Sequence, residues 1–165
     1  MVVKNLAAAL VSGLFLSVAG RPAPAAAQQP KSVASDSVFI QRASSIGLLQ
    51  VKLGQLAAKK GTSPAVVEFG KRMVADYSKA NEELKAAAKA AGFAAPVLLR
   101  QDQHTFELFT RTGGSSFDKK YMAEMVKQHK EEVRLFQDQS AGGRVQSLKQ
   151  LASRMLPEME QRSPS

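Results

Sequence analysis

The chain has 165 residues, no cysteine, no tryptophan and only 6% aromatics, so it has room for one domain and none for a disulfide framework or a thiolate metal site. Its apolar 44% is supplied by Ala, Leu, Val and Met more than by aromatic residues, which suits a helical core better than a β-sandwich. The formal charge of +9 points to anionic neighbours.

Residues 1–27 read as a secretory signal peptide. Lys4 gives a positive start, and residues 6–19 form an apolar run broken by Ser12, Gly13 and Ser17, short for a membrane span. Ala23, Pro24, Ala25, Ala26 and Ala27 supply small residues, placing cleavage between Ala27 and Gln28; retention as an uncleaved anchor is the alternative. Loss of residues 1–27 removes Lys4 and Arg21 and no acid, leaving 21 basic and 14 acidic residues, a net charge of +7. An exported protein seldom meets nucleic acid, so the expected partners are anionic envelope surfaces, lipid headgroups or lipopolysaccharide. No transmembrane span is expected in the mature chain.

Residues 28–35, polar and containing Pro30, read as a flexible leader before a helical domain at 36–162 and a tail at 163–165. Asp36 stands where an N-cap would. Phe39, Ala43, Ile46, Gln50, Leu53 and Ala57 then recur at spacings of three and four, with Leu49 and Leu56 widening the stripe. Lys59, Lys60 and a left-handed Gly61 are expected to end this helix. Ser63 and Pro64 open a second, with Val66, Phe69 or Gly70, Met73, Tyr77, Ala80, Leu84, Ala87 and Ala91 inward and Gly92 as its stop. A short helix over residues 100–111 follows, with Phe106 and Phe109 inward. Gly113-Gly114 breaks it, and Ser115 or Ser116 is expected to cap the next, which runs to about Ser140 with Tyr121, Met122, Met125, Val126, His129, Val133 and Phe136 inward. The last uses Val145, Leu148, Leu151, Ala152, Met155 and Met159, and Pro157 is expected to kink it. Short turns between long amphipathic helices imply an all-α fold, an antiparallel up-and-down four-helix bundle with an extra short connecting helix.

No nucleophile elbow, phosphate loop or dinucleotide fingerprint is present, and no catalytic residues emerge. Within such a bundle the chemistry to test is a two-metal carboxylate centre, which needs a Glu from each of two helices and a Glu-x-x-His pair from each of the others. The candidates are His129, Glu132, Tyr77 and Gln50. They supply one imidazole and one carboxylate, too little for two metals, so no cofactor is expected; iron or manganese is the alternative. His129 reads as a hydrogen-bonded core residue and Tyr77 as a core aromatic whose hydroxyl meets His129 or Gln50. The methionines read as core filler. Lys119, Lys120, Lys127, Lys130 and Arg134, mixed with Glu124, Glu131 and Glu132, read as a solvated face laced with i,i+4 pairs.

Two stretches, residues 47–57 (GLLQVKLGQLA) and 69–81 (FGKRMVADYSKAN), resemble signatures of a known bacterial family, as do residues 117–122 (FDKKYM), 125–129 (MVKQH) and Leu156-Pro157. Together they resemble the domain of unknown function 4142, exported proteins often labelled predicted outer membrane protein and assigned a ferritin-like bundle. The resemblance covers residues 36–160. It implies Glu in place of Gln50, and His in place of Tyr77 and Arg162, so only His129 of that polar set remains. The reading is an exported, non-catalytic module of structural, binding or stress-related role, expected in the periplasm or outside the cell, with association with the outer-membrane surface as the further option the resemblance implies. Its rival is a ferritin-like metal-binding or metal-dependent redox protein with a degenerate site around His129.

Overall fold

The computed structural model describes residues 31–94 and 96–161, with side chains from Asp36 onward. Residues 1–27, read above as a signal segment, Arg162 and residues 163–165 lie outside them. Among the described residues the protein is all-α, with five helices and no strand: α1 (Lys31–Lys60), α2 (Pro64–Ala90), α3 (Arg100–Arg111), α4 (Ser115–Gly142) and α5 (Gln146–Gln161). No described helix is long and apolar enough to cross a membrane.

α1 touches α2, α3 and α4, while α5 touches α4 and, more lightly, α2. Residues 43–47 of α1 are consequently buried on every side, Ser44 and Ser45 included, where an amphipathic stripe leaves serines outside. α1 and α2 approach backbone to backbone. A Cβ on Gly70 would lie 2.7 Å from the Ala57 Cβ and 2.8 Å from the Gly54 carbonyl oxygen. Further along, Gly47 lies under Asn81, and Gly61 against Val66 and Val67. Gly70→Ala gains about 1 kcal/mol of helix propensity, but overpacking against backbone costs about 1–3 kcal/mol. A net loss of stability is expected in urea unfolding.

Two apolar clusters hold the helices. One joins Phe39, Ile40 and Ala43 to Leu84, Ala88, Phe136, Leu148, Leu151, Ala152 and Met159. The other joins Leu49, Leu53 and Ala57 to Val66, Phe109, Phe117, Tyr121 and Met125. Phe117 stacks on Tyr121 at 5.9 Å and meets Phe109 edge-on. Met73, Met125 and Met159 are buried, as filler should be.

Helix ends are tied by neighbouring helices rather than by their own caps. α1 starts before Asp36, at Lys31, so part of the expected leader is helical. Asp36, expected as the N-cap of α1, instead accepts from the backbone N–H of Arg144 and Val145 at the start of α5, and from Gln139 Nε2. Lys60 Nζ donates to the carbonyls of Thr110 and Thr112, meeting the negative C-terminal end of α3. Ser63 occupies the N-cap of α2 and Pro64 its first turn, but without a side-chain cap bond. Asp118 of α4 serves there, accepting from the N–H groups of Thr62 and Ser63 and from the Thr62 hydroxyl.

Among the described residues two glycines, Gly92 and Gly114, have positive φ. Gly61 does not, and the expectation of a left-handed cap there is corrected: it is a site of close approach. Gly92 closes α2, its N–H bonding Lys89 O while that of Phe93 bonds Ala88 O. Gly114, rather than Ser115 or Ser116, is the N-cap of α4. Pro157 lies inside α5.

The Thr62 hydroxyl bond, opposed by desolvation and aided by the two N–H groups, holds the Asp118 carboxyl below the usual carboxylate range. A depressed folded pKa contributes stability that is present above the unfolded value and lost as pH falls through the folded one. Asp118→Asn is therefore expected to flatten the fall of the melting temperature below about pH 4. Parallel acid melting curves for variant and wild type would contradict this.

Candidate functional site

Between the segments that feed the two clusters lies a layer of buried polar side chains. On α2, Tyr77 falls between Val66 and Leu84; on α4, Gln128, His129 and Glu132 fall between Met125 and Phe136. α1 adds Gln50 beside Leu49. Relative exposures are 1% for Gln50, 4% for Tyr77, 8% for His129 and 3% for Glu132, so all four candidate residues are interior.

The structure brings two of them into direct contact. The Tyr77 hydroxyl donates to Glu132 Oε2 at 2.5 Å, a charge-assisted bond joining α2 to α4. Sequence reasoning offered His129 or Gln50 to the Tyr77 hydroxyl and set Glu132 among the solvated charges; the structure corrects the second, placing Glu132 in the interior on that hydroxyl. His129 lies one turn before Glu132 on the same side of α4. His104, the second imidazole of the chain, is exposed on α3.

Four buried polar atoms have no hydrogen-bond partner among the described residues: Ser44 Oγ, Gln50 Oε1, Tyr121 Oη and Gln128 Oε1. Gln128 is half-satisfied, its Nε2 donating to Glu124 Oε1 at 2.6 Å. Burial pushes the Tyr121 hydroxyl above the ordinary phenol pKa, so it stays protonated.

A two-metal centre requires several anionic oxygens around one point. The layer offers one carboxylate, already bonded to a phenol, one imidazole and two neutral amides. Among the described residues no group of three His, Asp or Glu side chains stands close enough to hold a metal. These residues do not fit a two-metal carboxylate site.

Sequence reasoning missed a second polar cluster, where α3 docks on α1. Arg42 Nη1 donates to Asp102 Oδ2 at 2.7 Å, and its Nε donates to Glu131 Oε1 at 2.9 Å. The Ser45 hydroxyl donates to Asp102 and accepts the Leu99 N–H. Partial burial works against the Arg42 charge, but the bonds to Glu131 and Asp102 outweigh it and raise its pKa. One signal was legible. The spacing 117, 121, 125, 128, 132, 136, 139 is a regular three-four stripe once Gln128, Glu132 and Gln139 are admitted to it. An apolar-only reading rotates that face by one residue, towards Met122, Val126 and Val133.

The protein is thus an all-α assembly with a buried, largely neutral polar layer. It belongs to the family described as Domain of unknown function (DUF4142), whose match spans residues 21–163. No curated protein and no solved structure matches the chain.

Proposed function

We propose that the protein is an exported, non-catalytic helical module of the cell envelope, whose buried polar layer fixes how its helices fit together. In this reading α1, α2, α4 and α5 form an antiparallel, ferritin-like four-helix bundle and α3 is the connecting helix. The pairing of Gly47 with Asn81, Gly54 with Gly70 and Gly61 with Val66 supports opposite directions for α1 and α2. Export is supported by the pattern of residues 1–27.

The observation that carries the reading is the Tyr77–Glu132 bond, which commits the one carboxylate of the layer to a phenol. Polar residues in a helical core favour one register over others, because a shift strands each of them without a partner. Metal analysis tests this. After incubation with iron, manganese, copper or zinc and desalting, less than a stoichiometric amount of metal is expected. A tightly held equivalent would establish the rival reading, a degenerate ferritin-like site around His129. Export has its own check in the N-terminus of protein recovered from the envelope, expected at Gln28.

A further inference from the structure

The solvent face of α4 has an uneven charge distribution. Lys119, Lys120, Lys127, Lys130 and Arg134 are all exposed. At 3.6 residues per turn they fall within an arc of about 100°, along about 22 Å of helix. That arc is opposite the buried stripe of Phe117, Tyr121, Met125, Glu132 and Phe136.

The acids of the same helix are drawn elsewhere. Asp118 holds the turn between α1 and α2, Glu131 accepts from Arg42, and Glu132 is buried against Tyr77. Glu124 flanks the arc and pairs with Lys127 at 3.2 Å. Asp138 sits at the far end, in a shallow depression shared with Lys130, Glu131, Arg134 and Leu135. The expected i,i+4 pairs are therefore not what this face presents. α2 provides a contrast, since Lys71 pairs with Glu68 and Lys85 with Glu82 on its own surface.

We infer that this face of α4 is a docking surface for an anionic phospholipid bilayer, with Lys119, Lys120, Lys130 and Arg134 as its contacts. The inference rests on the envelope reading above. A straight, convex row of cations meets a plane of headgroup phosphates along its whole length. A single-stranded polyanion is usually held in a groove with stacking aromatics; here Phe117, Tyr121 and Phe136 all turn inward. The exposed apolar residue within the row is Ala123, whose single methyl is too short to insert among acyl chains, so attachment is electrostatic and peripheral.

Vesicle sedimentation with the purified protein tests the surface. Binding to phosphatidylglycerol–phosphatidylcholine vesicles, and not to phosphatidylcholine alone, is expected at about 0.01 M salt. It is expected to vanish at about 1 M, as the screening length falls from about 30 Å to about 3 Å. Each cation near an anionic surface contributes about fivefold in partitioning. Replacing Lys119, Lys120, Lys130 and Arg134 together with Gln should therefore weaken binding by about a hundredfold or more. A variant with Lys71, Lys79, Lys85 and Lys89 of α2 replaced by Gln loses the same net charge and should lose less than about tenfold. Helical circular dichroism confirms that both variants fold, as expected for exposed positions.

Equal losses in the two variants would overturn the inference, since net charge alone would then explain binding. So would no wild-type binding to anionic vesicles at low salt, or polyphosphate binding in place of vesicle binding. None of these outcomes would alter the metal content or the mature N-terminus, on which the functional reading stands.

Discussion

Arg42→Met is expected to lower unfolding stability by about 3 kcal/mol, because it strands a buried carboxylate. Asp102 is 3% exposed at its side chain and Arg42 15%, so little water is available to replace the lost charge. Ser45 would remain as a hydrogen-bond donor to Asp102, but a hydroxyl does not neutralise an anion. The bond to Glu131 contributes much less, since that side chain is 40% exposed and solvent screens it. Met retains the length of the Arg stem, so the loss reports charge rather than packing. Urea unfolding measures the effect, and a double replacement separates its parts. Arg42→Met with Asp102→Leu removes both charges and should recover most of the loss. A double variant as unstable as the single one would mean that hydrogen-bonded geometry, rather than charge pairing, joins α3 to α1.

Glu132→Ala is expected to cost about 3–4 kcal/mol, combining an interior cavity with loss of the Tyr77–Glu132 bond. The residue is 3% exposed and its phenol partner Tyr77 4%, so the loss falls in the interior. Glu132→Gln keeps the volume and an acceptor oxygen, so its cost should fall to about 1–2 kcal/mol, the difference between a charge-assisted and a neutral bond. Thermal unfolding of both variants gives the ranking. If Glu132→Gln were as damaging as Glu132→Ala, the carboxylate charge itself would have to be required.

The helices were legible because their apolar spacing and their Gly and Pro punctuation agree. α3 falls on residues 100–111 as read, and the stop at Gly92 is a left-handed Gly closing the last turn of α2. What the sequence hid was the fate of its polar groups. Asp36 precedes an apolar stripe, which is the local signature of a cap, yet its carboxylate accepts from the N–H groups of Arg144 and Val145 just ahead of α5, more than a hundred residues away in the chain. Local pattern cannot reveal that partner, because a carboxylate caps any helix start that folding brings to it. Glu132 was hidden for a related reason. It follows Glu131 in a run of charges, and only the helical phase sends one outward to Arg42 and the other inward to Tyr77. The other three interior candidates, Gln50, Tyr77 and His129, were legible as inward positions because they lie on apolar stripes. That Tyr77 meets Glu132 depends on how α2 and α4 are set against each other, which no single helix encodes.

The direct test of the polar layer as a structural latch is a double-mutant cycle of Tyr77→Phe, Glu132→Gln and their combination, unfolded in urea with a metal chelator present. A coupling of about 1–2 kcal/mol is expected, because Glu132→Gln exchanges a bond to a charged acceptor for a neutral one. Additive losses, or a wild type that the chelator itself destabilises, would contradict the latch and return the interior of this protein to metal chemistry.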